Sequence, residues 1–204
     1  EREADNGKRG LASATHPARL RRGPSEQGES MRRLAFLLGL SLLGAAPAAA
    51  QDVRREGAPN SPIMNSVELP PGSRIVYVSG TVPDVVDPAA PQGSPQRYGD
   101  TATQTRSVLR TIEARLRAHG MGLGDVVMMR VFLVAPPGAE QMDFAGMMTG
   151  YREFFGTVAQ PNRPARSTME VAGLVDPGWL VEIEVTAARA AGSTAAPTNG
   201  APAR

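Results

Sequence analysis

The sequence predicts an α+β domain in which a single sheet carries two helices on one face. Three observations predict it. Gly99 to Gly120 and Asp143 to Phe155 place apolar residues at helical spacing, and five shorter stretches alternate or run apolar as strands do. The third is their order along the chain: strand, strand, helix, strand, helix, strand, strand.

Ser66 to Leu69 and Arg74 to Ser79 flank Pro70-Pro71-Gly72, a strong turn, and are expected to form a hairpin. Asp84 to Tyr98 is rich in Pro, Gly and Gln and reads as a surface loop. A helix follows Gly99-Asp100, with Asp100 as its N-cap and Val108, Leu109, Ile112 and Leu116 on one face. It closes at His119-Gly120, where a basic residue before a glycine suits the end of a helix. Val126 to Val134 is apolar on both faces apart from Arg130, so it reads as a central strand. Asp143 caps a second helix whose stripe, Phe144, Met147, Met148, Tyr151, Phe154 and Phe155, is expected to be core. Gly146 and Gly150 each weaken that helix by roughly 1 kcal/mol relative to Ala, so packing must hold it.

The last two strand candidates carry the chemistry. Val181, Ile183 and Val185 share one face, and Glu182, Glu184 and Thr186 the other. The preceding run sets Ser167, Met169 and Val171 against Arg166, Thr168, Glu170 and Ala172. With Asp176-Pro177-Gly178 as the turn, the two runs are expected to pair antiparallel, leaving Arg166 and three carboxylates on one polar face. Such a face is either solvated, with charges paired across strands, or a guanidinium offered to an anionic ligand beside a carboxylate that orients water or moves protons. The residues alone leave both open. Two helices cover only one side of such a sheet, and the other side carries Met and Val as well as charges, which implies cover by further subunits.

The first thirty residues are polar and aperiodic, and read as disordered or as translated upstream sequence. Met31-Arg32-Arg33, the apolar run Leu34 to Leu43 and Ala48-Ala49-Ala50 have the pattern of an export signal cleaved before Gln51, so a periplasmic or secreted location is expected. The apolar run is too short to span a bilayer. Residues 51–64 read as a flexible linker, 65–188 as the domain and 189–204 as a disordered tail.

From residue 51 onward the chain has fourteen arginines, no lysine and fifteen acidic residues, so no basic surplus is left for nucleic acid. The absence of cysteine removes thiol nucleophiles, thiolate metal sites and disulfides. With His119 the one histidine after the leader, and no lysine there, a catalytic triad, a His-rich metal site and Schiff-base chemistry are all disfavoured. No glycine-rich phosphate loop is present. Arginine, carboxylates, hydroxyls and backbone dipoles remain.

Pro164-Ala165-Arg166-Ser167-Thr168, then Glu170-Val171-Ala172 and Val181-Glu182-Ile183-Glu184, resemble the C-terminal motif of the RidA/YjgF family, the reactive intermediate deaminases. Val78-Ser79-Gly80, Gly99-Asp100, Gln104-Thr105-Arg106, Asp125-Val126-Val127, Val131-Phe132-Leu133 and Asp143-Phe144 with Tyr151 extend the resemblance over about Ile75 to Ala187. It implies a chorismate-mutase-like fold in a homotrimeric barrel with ligand sites between subunits. The implied activity is hydrolysis of enamine or imine acids to 2-ketoacids and ammonia, without cofactor or metal. Arg166 would hold the substrate carboxylate, and Glu182 would place the attacking water with the backbone near Thr168. Ser79 and Gly80 would line the substrate site. The chain departs from the family pattern at Ile63, where tyrosine is usual, and at Met148, where asparagine is. A non-catalytic binder of small carboxylic acids is therefore the alternative reading, and endoribonuclease, an activity also attached to the family, runs against the near-neutral charge.

Overall fold

The computed structural model describes residues 52–193. Residues 1–30, the expected export signal Met31 to Ala50 and residues 194–204 of the expected tail lie outside the described residues. Strand β1 is Arg54–Glu56, β2 Ser66–Glu68 and β3 Arg74–Thr81, followed by helix α1, Thr101–Ala118. Then come β4, Val126–Leu133, helix α2, Phe144–Tyr151, β5, Ala165–Glu170, and β6, Val181–Arg189. The main sheet has the order β3-β6-β4-β5, and both helices pack on one of its faces.

Helix α1 forms where the caps place it. The Asp100 carboxylate accepts the Thr103 N–H at 2.8 Å, and at the far end Gly120, at φ +67°, lets the Met121 N–H return to the Leu116 carbonyl at 2.9 Å. Val108, Leu109, Ile112 and Leu116 are fully buried against Val126, Met129, Val131, Ile183 and Val185 of the sheet. The glycine in α2 is what brings the helices together: a Cβ on Gly150 would lie 2.8 Å from the Ala102 carbonyl oxygen.

The Thr103 hydrogen bonds hold the Asp100 carboxyl below its usual range. The folded chain thus binds this proton more weakly than the unfolded chain does. The cap's stabilisation is present above pH roughly 4 and is lost as pH falls through the depressed value. Asp100→Ala is expected to cost about 1 kcal/mol at neutral pH, and the gap to the parent should close in acid. Urea unfolding of both proteins from pH 7 downward measures it.

Two expected strand pairings are corrected. β2 does not form a hairpin with β3; it pairs antiparallel with β1, Arg55 facing Val67, while β3 pairs antiparallel with β6. The stretch 51–64, expected as a flexible linker, therefore contains a strand. Its Arg55 guanidinium donates to the carbonyls of Gly124, Val126 and Arg163 at 2.9–3.0 Å, which fastens β1 to the body of the domain. β5 and β6 do not pair either. β6 inserts between β3 and β4, antiparallel to both, and β5 lies parallel to β4 at the sheet edge. The buried face of β6 gains two neighbouring strands this way, whereas a terminal hairpin would have left it at an edge. β6 also runs past the expected domain end: Arg189 faces Arg74 and bonds Asp125, and Ala190 is buried.

The face away from the helices is open in the single chain. It carries Ile75 and Tyr77 of β3, Met128 and Phe132 of β4 and Met169 of β5, with Tyr77 78% exposed. Arg130 and Glu184 form an ion pair across it. Among the described residues no helix is long and apolar enough to cross a membrane.

Candidate functional site

The strand order decides where the expected site residues go. Arg166 faces Met129, which faces Val185, and Thr168 faces Val131, which faces Ile183. Arg166 and Thr168 thus point to the helix-covered side. Glu182 faces Phe132, which faces Met169, on the open side. The expected polar face uniting Arg166 with all three carboxylates does not form: Glu170, which faces Leu133, shares the side of Arg166, but Glu182 and Glu184 lie on the other. It presupposed that β5 pairs with β6, and the intervening β4 sets a different register. Glu184 takes the solvated role, paired with Arg130.

On the helix side, the edge position of β5 lets the Arg166 side chain reach α2. Its guanidinium carbon lies 4.4 Å from the centre of the Tyr151 ring and 5.9 Å from that of Phe144. Nη2 points at the Met148 sulfur at 3.2 Å, and Nη1 is enclosed with no hydrogen-bond partner. Among the described residues no carboxylate forms an ion pair with it. Burial, above all, pulls the Arg166 pKa down, Tyr151 opposes this, and the Arg152 cation adds to it. The guanidinium keeps its charge even so. A desolvated cation with an unused donor is the main electrostatic feature here, and an anion is the group that would satisfy it. The Thr168 hydroxyl, two residues along the same strand face, is likewise enclosed without a partner.

Tyr151 is the platform beneath the cation. It stacks on Phe155 at 4.8 Å, and its hydroxyl donates to the Pro62 carbonyl at 2.9 Å. Burial pushes its pKa up to about 12, against the pull of the Arg166 and Arg163 cations, so it is a neutral phenol. The Met64 N–H donates to the Pro164 carbonyl at 2.9 Å and Met64 bridges Ala165, which sets Ile63 beside the start of β5.

On the open side, Ser79, Gly80 and Glu182 come together. The β3–β6 pairing is irregular between Val78 and Thr81, and a Cβ on Gly80 would lie 1.8 Å from the Glu182 Oε1. The carboxylate therefore lies directly over the Gly80 backbone, which only glycine permits. Ser79 is exposed next to it, its carbonyl accepting the Thr81 hydroxyl at 3.0 Å. The site residues form two clusters, Arg166 with Thr168 and Glu182 with Ser79 and Gly80, on opposite faces of one sheet.

Met148 and Tyr151 are buried in the core as expected, and with Phe144 they also border the first cluster. Phe144 is 44% exposed, at the rim because it opens the helix. The signal for Tyr151 was its hydroxyl within an apolar stripe, since a buried phenol needs a partner.

A family model described as Endoribonuclease L-PSP matches residues 65–189. The 3-aminoacrylate deaminase RutC of Acinetobacter baylyi is 36% identical over 133 residues, covering 63% of this chain and 89% of that protein. The 2-iminobutanoate/2-iminopropanoate deaminase of Salmonella typhimurium is 33% identical over 142 residues, covering 69% of this chain and 98% of that protein. A crystal structure from Yersinia pestis, of a protein of unknown function in the conserved Rid protein family, YyfB, shares the fold. Its TM-score is 0.51 at 24% identity, covering 67% of this chain and 98% of that one. With the family model spanning the whole sheet and both helices, the chain belongs to the RidA/YjgF family, the group that the endoribonuclease L-PSP description covers.

Proposed function

We propose that the protein hydrolyses reactive 2-imino acids to 2-ketoacids and ammonia, without a cofactor, at sites between the subunits of a homotrimer. The observation that carries this is the Arg166 guanidinium, desolvated over Tyr151 with Nη1 unpaired, which is the group a substrate carboxylate would engage with two parallel hydrogen bonds. The activities for which the two similar deaminases are named support it. An imine carbon is already electrophilic, so the protein must supply position and a proton path. Water adds to that carbon while the Glu182 carboxylate takes its proton. Returning that proton to the nitrogen completes the carbinolamine; its hydroxyl proton then passes to the nitrogen by the same carboxylate, the C=O bond forms as the C–N bond breaks, and ammonia leaves. The near balance of arginine and acidic residues from residue 51 onward leaves no net cationic surplus for RNA, which argues against ribonuclease activity.

The need for a second subunit follows from the register. Arg166 and Glu182 point to opposite faces, so one chain does not present both to a single small acid. A neighbouring copy that brought its own open face up to the β5 edge of this chain, where Arg166 sits, would place its Glu182 beside this chain's Arg166. Arg166→Ala and Glu182→Gln are each expected to be inactive on enzymatically generated imino acid. When co-assembled in equal amounts they should recover activity at about a quarter of the sites, those pairing an intact Arg166 with a neighbour's intact Glu182. No recovery in confirmed mixed trimers would overturn the shared site. A parent that binds carboxylates but leaves imines untouched would make the protein a carboxylate-binding member of the family.

Gly80→Ala tests the second cluster from the side. The methyl must displace the Glu182 carboxylate, so turnover is expected to fall at least about tenfold while carboxylate affinity, set by Arg166, holds. Parallel turnover and calorimetric titrations read the two separately. Export is part of the same reading: Met31 to Ala50 is proposed as a signal cleaved before Gln51. An intact leader on the protein from its native cell, by mass spectrometry, would refute it.

A further inference from the structure

We propose that Met148 is a specificity-determining residue, selecting acids whose side chain is apolar. This rests on the reading of Arg166 as the carboxylate anchor and names the class of acid that the anchor admits. The Nη2 donor of Arg166 is held by the Met148 thioether at 3.2 Å, and a thioether is a weak acceptor. An incoming carboxylate makes charge-assisted bonds to both Nη atoms, so it displaces the sulfur. Methionine has three flexible torsions and no charge to re-solvate, and it yields at little cost.

The displaced thioether then lies beside the carbon chain of the acid. Phe144, Met148 and Tyr151 come from one face of α2, at helical spacing, and together they surround the guanidinium. The Tyr151 hydroxyl is already committed to the Pro62 carbonyl, so its ring, like that of Phe144, presents carbon. On the α2 side, away from the Thr168 hydroxyl on β5, a hydroxyl or charge on the ligand's side chain would meet a thioether and two rings, none of which replaces the hydrogen bonds lost from water. An aliphatic chain loses nothing there.

The test is calorimetric titration of the assembled protein with pentanoate and with 4-hydroxybutanoate, which match in length and differ in the terminal group. The parent is expected to favour pentanoate by roughly ten- to a hundredfold. Met148→Gln keeps the side-chain length and adds an amide, and should bring the ratio within about threefold, whereas Met148→Leu should preserve it. Met148→Ala adds a second route, shifting the preference toward hexanoate by opening space. Met148→Gln and Met148→Ala variants that bind both acids through Arg166 with the parent's preferences would overturn the assignment to Met148 alone. Arg166→Ala distinguishes the deeper failure: if it binds both acids as the parent does, the anchor is wrong and the proposal falls with it.

Discussion

Arg166→Ala is expected to weaken carboxylate or transition-state binding by about 2–5 kcal/mol, the cost of truncating one member of a desolvated charged pair. Removal leaves a ligand carboxylate facing Tyr151, Phe144 and Met148, none of which carries a charge. Arg166→Lys should recover little. An ammonium cannot offer two coplanar donors, and it loses the guanidinium's contact over the Tyr151 ring. Folding stability should respond differently. That contact contributes about 0.5–2 kcal/mol, but the enclosed, unpaired Nη1 carries a desolvation cost of similar size, so the free protein should change by less than about 1 kcal/mol. Carboxylate titration and urea unfolding of the same variant test both halves. Stability lost with binding intact would mean that the arginine is structural.

Gln104→Ala is expected to show the reverse, a loss of about 3–5 kcal/mol of folding stability. The side chain is fully buried and every polar atom on it is used. Nε2 donates to the Gly99 and Gly178 carbonyls at 2.9 and 3.0 Å, and Oε1 accepts the Leu180 N–H at 2.7 Å. It ties the start of α1 to the chain entering β6, across a long separation in sequence. Truncation strands three backbone groups, each worth about 1–3 kcal/mol when unsatisfied. Gln104→Glu should do no better, because a carboxylate cannot donate to the two carbonyls and would be a buried charge. Denaturant unfolding measures the loss. A shift below about 1 kcal/mol would mean that water replaces the amide, and the link to β6 would then be incidental.

The behaviour of Gln104 shows how far sequence reasoning reaches. Its place in a helix was legible, because Asp100 and Gly120 mark the ends and Val108, Leu109, Ile112 and Leu116 mark the buried face. Its partners were not, since Gly178 and Leu180 become neighbours only when β6 enters the sheet. Arg166 and Glu182 divide the same way. The arginine motif and the alternating glutamates identified them as the chemistry of this chain, and the resemblance gave them roles. Neither showed that they point in opposite directions.

What the sequence determined by itself is local or periodic: the caps, the two helical stripes, the alternation in β6, the apolar run of β4, and the family. These follow from backbone sterics, side-chain direction and the hydrophobic pattern, which act over a few residues. What only the tertiary structure decided is which strand lies beside which. Alternation shows that a strand has two faces but not which neighbour sets its register, and turn residues such as Pro70-Pro71-Gly72 or Asp176-Pro177-Gly178 permit a hairpin without requiring one. Packing chose the arrangement that buries both flanks of β6, and in doing so it put Arg166 over Tyr151 on one face and Glu182 over Gly80 on the other.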